Sequence, residues 1–144
     1  MSTLQPVINK FVGFYTALDA ESVSALPALY HPEAVLNDPF GRHAGLHAIQ
    51  RYFAHLLENV EQCRFDIDEP IGDGRRFGVS WVMHWSHPRM AGGKALTLPG
   101  CSMVVVQGAQ VIQQRDYYDA GEMIYAHIPL LGWAIRRIKQ RVSA

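Results

Sequence analysis

The stretch FGVSWVMHW, residues 77–85, alternates large apolar side chains with small or polar ones along its whole length. The large apolar residues of one face are Phe77, Val79, Trp81, Met83 and Trp85. A two-residue period is typical of a β-strand with one buried face, because successive side chains of a strand point to opposite sides. The stretch therefore predicts a long strand that lines the core with tryptophan and methionine.

Further strands are predicted on both sides of this one. They cover residues 65–71, 94–106 and 111–118. Asp73 and Gly74 form a strong signal for a hairpin turn before the tryptophan-rich strand. Pro99 and Gly100 interrupt the strand that follows it and predict a bulge or a bend there. Together these patterns indicate a run of long antiparallel strands.

The first part of the chain is instead dominated by helical spacing. Apolar residues recur at steps of three and four from Leu4 to Leu18, which predicts an amphipathic helix with one broad apolar face. Further helices are predicted at 21–29 and 46–58, with a short strand at 34–38 between them. Helices grouped before strands indicate an α+β fold. A strongly curved sheet wrapped round these helices would enclose an apolar pocket.

Length and composition limit the class of protein. The chain has 144 residues, 49% of them apolar, so we expect a single domain over residues 1–144 with a true core. Its 13 basic and 13 acidic residues balance, which argues against a nucleic-acid partner. We expect neither a signal peptide nor a membrane-spanning helix. Cys63 and Cys101 show no CxxC spacing, so we expect both to fill apolar space in a cytoplasmic protein.

The C-terminal tail, residues 122–144, is predicted to be helical. Asp119 is placed to cap its first helix, and Pro129 breaks that helix. The part beyond Pro129 carries basic and no acidic residues: Arg136, Arg137, Lys139 and Arg141. A basic amphipathic helix can lie on an anionic membrane, but this short one favours packing against the body of the protein or a partner subunit. We therefore expect no membrane association.

Two segments resemble known proteins. YHPEAVLNDPFG (30–41), followed by GLHAI (45–49) and by Tyr52 and Phe53, resembles the ketosteroid isomerase segment that ends in an acidic residue-Asp-Pro-Val-Gly turn. QRDYYD (114–119) is similar to the closing strand of limonene epoxide hydrolases and SnoaL-like proteins.

The resemblance, which runs over about residues 7–122, implies a fold of the NTF2-like superfamily. In such a fold a curved mixed or antiparallel sheet wraps round N-terminal helices into a cone with an internal pocket. The resemblance also implies a homodimer formed through the outer face of the sheet. We expect no cofactor, since no nucleotide-type glycine loop is present, and no metal, since His84 and His87 lack a third ligand.

Residue by residue, the resemblance places Asp38 on the catalytic base of the isomerases, which moves a proton between carbons beside a carbonyl group. Phe14 falls where the isomerases have a tyrosine that donates to the developing oxyanion, so that donor is lost unless Tyr15 replaces it. Ser102 falls at or near their second donor, a protonated aspartate. Asp116 falls on the aspartate of the epoxide hydrolases.

Other positions distinguish the subfamilies. The hydrolases need an Arg-x-Asp pair on an earlier strand, where this chain has Met83 and Trp85. At the position that corresponds to Asp38, they have asparagine. We therefore do not expect epoxide hydrolysis. SnoaL-like cyclases use one acid–base carboxylate in a broad apolar pocket, and that pattern agrees best with these residues.

Both carboxylates have two interpretations. Asp38 precedes a proline at a strand end, so it is either a base in an apolar pocket or a turn residue bonded to nearby backbone. Asp116 shares a strand face with Gln114 and Tyr118, so it faces either the pocket or a dimer interface or solvent. His43, near the start of a helix, is expected at the surface.

The sequence thus predicts a protein that holds a small hydrophobic carbonyl compound in a cone-shaped pocket. Asp38 and Asp116 are the candidate catalytic residues for proton transfer in an isomerase or cyclase. The candidate substrate-binding residues are Phe14, Tyr15, Phe53, Trp81, Met83, Trp85, Ser102, Gln114 and Tyr118. Two alternatives stay open: a binding protein without catalysis, and a dimer whose sheet face meets a partner protein.

Overall fold

The computed structural model of the protein describes residues 4–143. Within that range the helices are α1 (Leu4–Thr16), α2 (Leu26–Leu29), α3 (Leu46–Asn59), α4 (Ala120–Met123) and α5 (Pro129–Ser143). Segments of 3-10 helix cover Ala20–Ala25, Ala91–Gly93 and Tyr125–His127. The strands are β1 (Tyr30–Asp38), β2 (Gly41–Ala44), β3 (Gln62–Ile67), β4 (Ile71–Asp73), β5 (Arg76–Ser86), β6 (Leu96–Gln107) and β7 (Gln110–Tyr118).

The strands form one sheet in the order β2-β1-β7-β6-β5-β3, and β4 pairs with the start of β5. Neighbouring strands run antiparallel, except that β1 and β7 are parallel. The parallel pair joins an early part of the chain to a late one, so the sheet is mixed. The predicted α+β fold, with a curved mixed sheet and N-terminal helices, is confirmed.

Helix α1 supplies the centre of the hydrophobic core. Its apolar stripe is buried as the spacing predicts, and Val7 and Phe11 have no exposed surface. The Phe11 ring packs edge-on against Phe77 of β5, with ring centroids 5.5 Å apart. Burying one large apolar side chain stabilises the fold by about 1.5–3 kcal/mol. Cys63 is also buried, which raises its pKa to about 12 and leaves the thiol unreactive, whereas Cys101 is partly exposed.

The region between α1 and α3 differs from the prediction. Instead of one helix over residues 21–29, a 3-10 segment capped by Asp19 is followed by the single turn of α2. Asp19 and Ser22 form a reciprocal capping box that starts this segment. Strand β1 begins at Tyr30, earlier than predicted, because Tyr30 already pairs with Val111 of β7. The short strand β2, which the sequence does not predict, pairs with the end of β1.

Of the bulge or bend predicted in the middle of β6, the bulge is wrong. Strand β6 pairs with β5 without interruption from Leu96 to Val105, and the register shift against β7 lies between Val105 and Val106. Gly100 has another purpose, because the indole of Trp81 lies directly over it. A Cβ atom at Gly100 would come within 2.3 Å of that ring. The glycine therefore makes room for the tryptophan at the centre of the sheet.

The tail folds back on itself after β7. The Asp119 carboxylate caps α4 by accepting hydrogen bonds from the backbone N–H groups of Gly121 and Glu122, at 2.8 and 3.2 Å. Lys139 of α5 donates to the other carboxylate oxygen at 3.0 Å and ties α5 to the end of the sheet. Helix α5 keeps apolar side chains exposed, among them Val142. None of the described helices has the length and apolar character needed to span a membrane.

Candidate functional site

Helices α1 and α3 and the inner face of the sheet surround a small hollow. Its cavity volume is about 30 Å³, enough for one or two water molecules. Residues predicted from the sequence that line it are Tyr15, Phe53, Trp81, Met83, Asp116 and Tyr118. Sites for small molecules measure ~300–1,000 Å³, so the hollow is much smaller than the broad pocket that the resemblance to SnoaL-like cyclases implies.

Asp116 brings a carboxylate to this hollow from β7. Its Oδ1 accepts hydrogen bonds from Ser102 Oγ at 2.6 Å and from Gln114 Nε2 at 2.9 Å. Trp81 Nε1 donates to Ser102 Oγ at 2.9 Å, which leaves the serine hydrogen for Asp116. The second carboxylate oxygen, Oδ2, receives no hydrogen bond from the described residues and stays available to a ligand.

Burial changes the acidity of this carboxylate. Withdrawal from water raises the pKa of Asp116 to about 6, even though the hydrogen bonds from Ser102 and Gln114 lower it. The charge of Asp38 is a further, smaller cause of the raised pKa. A carboxyl group with a pKa near 6 populates both protonation states close to neutral pH, so it can accept a proton and return it.

A buried polar network lies behind Asp116. Tyr30 OH donates to Gln114 Oε1 at 2.6 Å, and Gln114 Nε2 donates to Tyr15 OH at 3.1 Å. The two tyrosine oxygens lie 2.7 Å apart, and because the Tyr30 hydrogen is used on Gln114, Tyr15 donates to Tyr30. Burial raises the pKa of both phenols, so they stay protonated. The network therefore holds the Gln114 amide nitrogen toward Asp116.

Asp38 lies at the end of β1 with its side chain fully buried. Its Oδ1 accepts hydrogen bonds from the backbone N–H groups of Phe40 and Gly41 at 2.8 and 3.0 Å, the turn geometry that aspartate favours. Among the described residues no hydrogen bond of regular geometry reaches Oδ2, which lies 3.9 Å from the equally unpaired His43 Nε2. The turn interpretation thus explains the hydrogen bonds of Asp38 Oδ1. It does not explain why Oδ2 is buried without a regular hydrogen bond from the described residues.

The expectation that His43 lies at the surface is wrong. Its side chain is only 23% exposed, and its ring stacks on Tyr52 of α3 with centroids 4.2 Å apart. Tyr52 also lines the hollow and approaches Asp38. Burial raises the pKa of Tyr52, and nearby Tyr118, Asp38 and Asp116 raise it further. The two carboxylates and the two tyrosines therefore form one electrostatic cluster.

A family model for the SnoaL-like domain matches residues 11–114, well over half of the chain. The chain belongs to the SnoaL-like domain family. The match includes Asp38, Tyr52 and Gln114, whereas Asp116 and the tail lie beyond it. Comparison with curated proteins gives no significant match.

Solved structures share the fold of this SnoaL-like domain at low sequence identity. An NTF2-like protein of unknown function from Burkholderia pseudomallei K96243 gives a TM-score of 0.71 at 20% identity, over 86% of this chain and 96% of that one. A hypothetical protein with a ketosteroid isomerase-like fold from Catenulispora acidiphila DSM 44928, in complex with trimethylamine, gives 0.70 and 14%, over 84% and 90%. TerC, co-crystallized with polyporic acid, gives 0.67 and 18%, over 79% and 92%. These likenesses confirm the NTF2-like fold.

In this SnoaL-like domain the remaining candidate residues lie around the hollow rather than in its wall. Ser102 and Gln114 contact Asp116 as hydrogen-bond donors. Phe14 packs edge-on against aromatic rings of the core. Trp85 lines a neighbouring groove instead of the hollow. These four side chains therefore lie outside the wall of the hollow.

Several side chains of the site are absent from the sequence-based prediction. They include Tyr52, Leu56 and Met123 in the wall and Tyr30 in the polar network. Tyr52 and Leu56 stand one turn apart on α3, so the helical period could have identified them. Tyr30 and Met123 have no such signal, because their places depend on contacts with distant parts of the chain.

The histidines considered for a metal site have other partners. His84 Nε2 lies 2.7 Å from Asp66 Oδ2, and Arg64 donates to the other oxygen of Asp66 at 2.6 Å. His87 Nδ1 accepts a hydrogen bond from the backbone N–H of Arg89. In the part of the chain that the structure describes, no group of three or more His, Cys, Asp or Glu side chains is arranged to hold a metal ion.

Proposed function

We propose that the protein binds a small hydrophobic carbonyl compound at the hollow and that Asp116 transfers a proton next to the carbonyl group. The observation that carries the proposal is a carboxylate whose pKa burial raises to about 6, beside aromatic and methionine side chains. A base with a pKa near the working pH typically contributes about 10²–10⁴-fold to the rate. Structural neighbours solved with trimethylamine and with polyporic acid support a site for small molecules.

The substrate oxygen also needs a hydrogen-bond donor. The hydroxyl hydrogens of Tyr15 and Ser102, the donors that the resemblance suggests, are already donated to Tyr30 and Asp116. Tyr118 lines the hollow beside Asp116, and burial raises its pKa, so it keeps its hydrogen at neutral pH. We therefore assign the donation to Tyr118. Loss of one such donor typically lowers the rate by about 10²–10³-fold.

Asp38 has a supporting part in this proposal. Its Oδ1 is used in the turn after β1, and its charge is one cause of the raised pKa of Asp116. Tyr52 is influenced by both carboxylates. We assign Asp38 an electrostatic role that helps to keep Asp116 near its neutral form, and no contact with the substrate.

Proton transfer beside a carbonyl can be followed without the natural substrate. We expect the protein to exchange the α-hydrogens of 2-alkanones and cyclic ketones for deuterium in D₂O, as measured by NMR. Asp116→Asn should lower this exchange by about 10²-fold or more while ketone affinity is retained. Asp38→Asn should have a smaller effect.

The control for these variants is Asp66→Asn, which removes an exposed carboxylate on the opposite side of the sheet. It should exchange α-hydrogens at the wild-type rate. Unchanged exchange in both Asp116→Asn and Asp38→Asn would refute the proposed proton transfer.

A binding protein without catalysis is the second candidate. The engaged hydroxyl hydrogens of Tyr15 and Ser102 favour it, since they leave fewer donors for an oxyanion. In that case ketones would raise the melting temperature of the wild-type protein, but their α-hydrogens would exchange only at the background rate.

We also propose a homodimer formed through the outer face of the sheet. Met103 of β6 and Tyr117 of β7 are 52% and 51% exposed on this face, and Val82 of β5 is exposed nearby. Exposed apolar side chains on adjacent strands are typical of protein–protein interfaces. The oligomeric state in solution tests this part of the proposal.

A further inference from the structure

An apolar groove lies directly beside the hollow. It has a cavity volume of about 260 Å³ and is bounded by the end of α3, the end of β5 and the residues around the end of α4. Val60, Trp85 and Met90 contribute to its wall, and its polar side chains are His55 and His87. No aspartate, glutamate, lysine or arginine of the described chain lines it. The groove therefore suits an apolar occupant.

Three side chains, Leu56, Met83 and Met123, line both the hollow and the groove and form the wall between them. Two of them are methionines, whose unbranched side chains adapt to their surroundings at low cost. Rotation of Met83 and Met123 would join the two spaces into one site near the lower end of the ~300–1,000 Å³ range of small-molecule sites. Met123 lies beyond residues 11–114, so this wall is built partly outside the family domain.

We propose that the groove is the second half of the ligand site and takes an unbranched apolar chain, while the carbonyl end of the same ligand reaches Asp116. The inference rests on the function proposed above, because Asp116 determines which end of the ligand enters the hollow. The polarity of the two spaces assigns the ends: a carboxylate and three tyrosines line the hollow, and no permanently charged side chain lines the groove. A hollow of about 30 Å³ admits a slender end of a molecule and no fused-ring system. The substrate class is therefore long-chain carbonyl compounds.

A series of 2-alkanones, from 2-pentanone to 2-undecanone, tests this proposal by calorimetry on the full chain. We expect the dissociation constant to fall about fourfold for each methylene that enters the groove, the effect of burying one CH₂ group. The dissociation constant should stop falling once the alkyl chain fills the groove. A dissociation constant independent of chain length would overturn the proposal, as would the absence of binding by every ketone of the series.

Two groove-filling variants test whether the alkyl chain of the ketone binds in the groove. Val60→Trp and Met90→Trp add a ring from different elements, so one of them is informative if the other fails to fold. Each should weaken 2-undecanone binding about tenfold or more, since several methylenes lose their contacts, and leave 2-pentanone binding unchanged. Val142→Trp adds the same ring at an exposed position of α5 and should bind every ketone as the wild type does. Equal losses for short and long ketones in the groove variants would contradict the proposal.

The same experiments distinguish a failure of this inference from a failure of the proposed function. Asp116→Asn should remove deuterium exchange and keep the dependence of affinity on chain length. A wild-type protein that catalyses exchange without any such dependence refutes the groove alone. Dependence on chain length without any exchange refutes the proton transfer alone.

Discussion

The pKa of Asp116 is raised by burial and lowered in part by hydrogen-bond donors that lie in two successive layers. Ser102 and Gln114 donate to it, and these donors stabilise the charged form against the effect of burial. Behind them, Trp81 donates to Ser102, and Tyr30 donates to Gln114. Each donor is therefore held in one orientation by a residue that makes no hydrogen bond of its own to the carboxylate. The position of the Asp116 charge is set by this buried network.

The raised pKa of Asp116 makes stability depend on pH in a definite direction. The folded-state pKa of about 6 lies above the ~3.9 of an unfolded aspartate, so the folded protein binds more protons between these values. Stability should therefore fall as the pH rises through this interval. The whole shift corresponds to about 3 kcal/mol, an upper limit because the residue is partly exposed.

Asp116→Asn keeps both accepted hydrogen bonds and removes the charge. We expect the variant to be more stable than the wild type by about 1–3 kcal/mol at pH 8 and to differ little at pH 4. Urea unfolding at the two pH values measures the difference. The same difference at both would show that the charge of Asp116 is not its cause.

The period of a strand is enough to place some of these residues together. Alternation along β7 correctly predicts that Gln114, Asp116 and Tyr118 share one face. The same pattern carries no information about Tyr30, which is buried, or about His43, which is largely covered by contacts with other elements. The surroundings of an individual side chain are therefore not predicted by the sequence, even where its strand is predicted correctly.

At the level of elements, strands β5 and β6 show what spacing can and cannot predict. The alternation from Phe77 to Trp85 predicts β5 as the structure has it. The glycine of β6 suggests a bulge, yet it is there because Trp81 of the neighbouring strand covers it. That reason becomes visible only when the pairing of Trp81 with Gly100 is known. The helix predicted over 21–29 is present as a 3-10 segment and one α turn, and it ends where strand pairing begins at Tyr30.

Gly100→Ala should destabilise the protein by about 1–3 kcal/mol, the typical cost of overpacking a filled core. The added Cβ would lie 2.3 Å from the Trp81 ring, on a strand that is paired on both sides. Gly13→Ala in α1 is the control, because no atom beyond its chain neighbours and the surrounding helix backbone lies within 4 Å of the added methyl group. Alanine favours a helix by about 1 kcal/mol over glycine, so this variant should be neutral or stabilising. Thermal unfolding without a loss in Gly100→Ala would contradict the contact.

For the molecule as a whole, the volume of the hollow is the property that the sequence predicts least well. Trp81, Met83 and Phe53 are predicted as the wall of a pocket, but the same side chains also fill it. How much space remains depends on how closely α1 and α3 approach the sheet, which no residue pattern records. The fold is therefore predicted correctly, whereas the hollow is smaller than the broad pocket that the resemblance implies.

We expect the protein to sediment as a dimer at micromolar concentration. Met103→Asp should shift it toward the monomer, because the variant places a charge in an apolar interface. Ile138→Asp, in α5 and also well exposed, is the matched control and should leave the dimer intact. A monomeric wild type would refute the proposed interface. Dissociation by Ile138→Asp and not by Met103→Asp would assign the interface to α5.

The pairing of β1 with β7 also has a consequence for how the protein is made. Gln114 bonds to Tyr30 and Tyr15, which precede it by 84 and 99 residues. Contacts that close such long loops carry a large entropic cost and form slowly. A nascent chain still lacking residues 110–118 would contain α1 to α3, β1 to β6 and Ser102, but not Gln114, Asp116 or Tyr118. On the ribosome the network around Asp116 therefore cannot form until β7 has emerged.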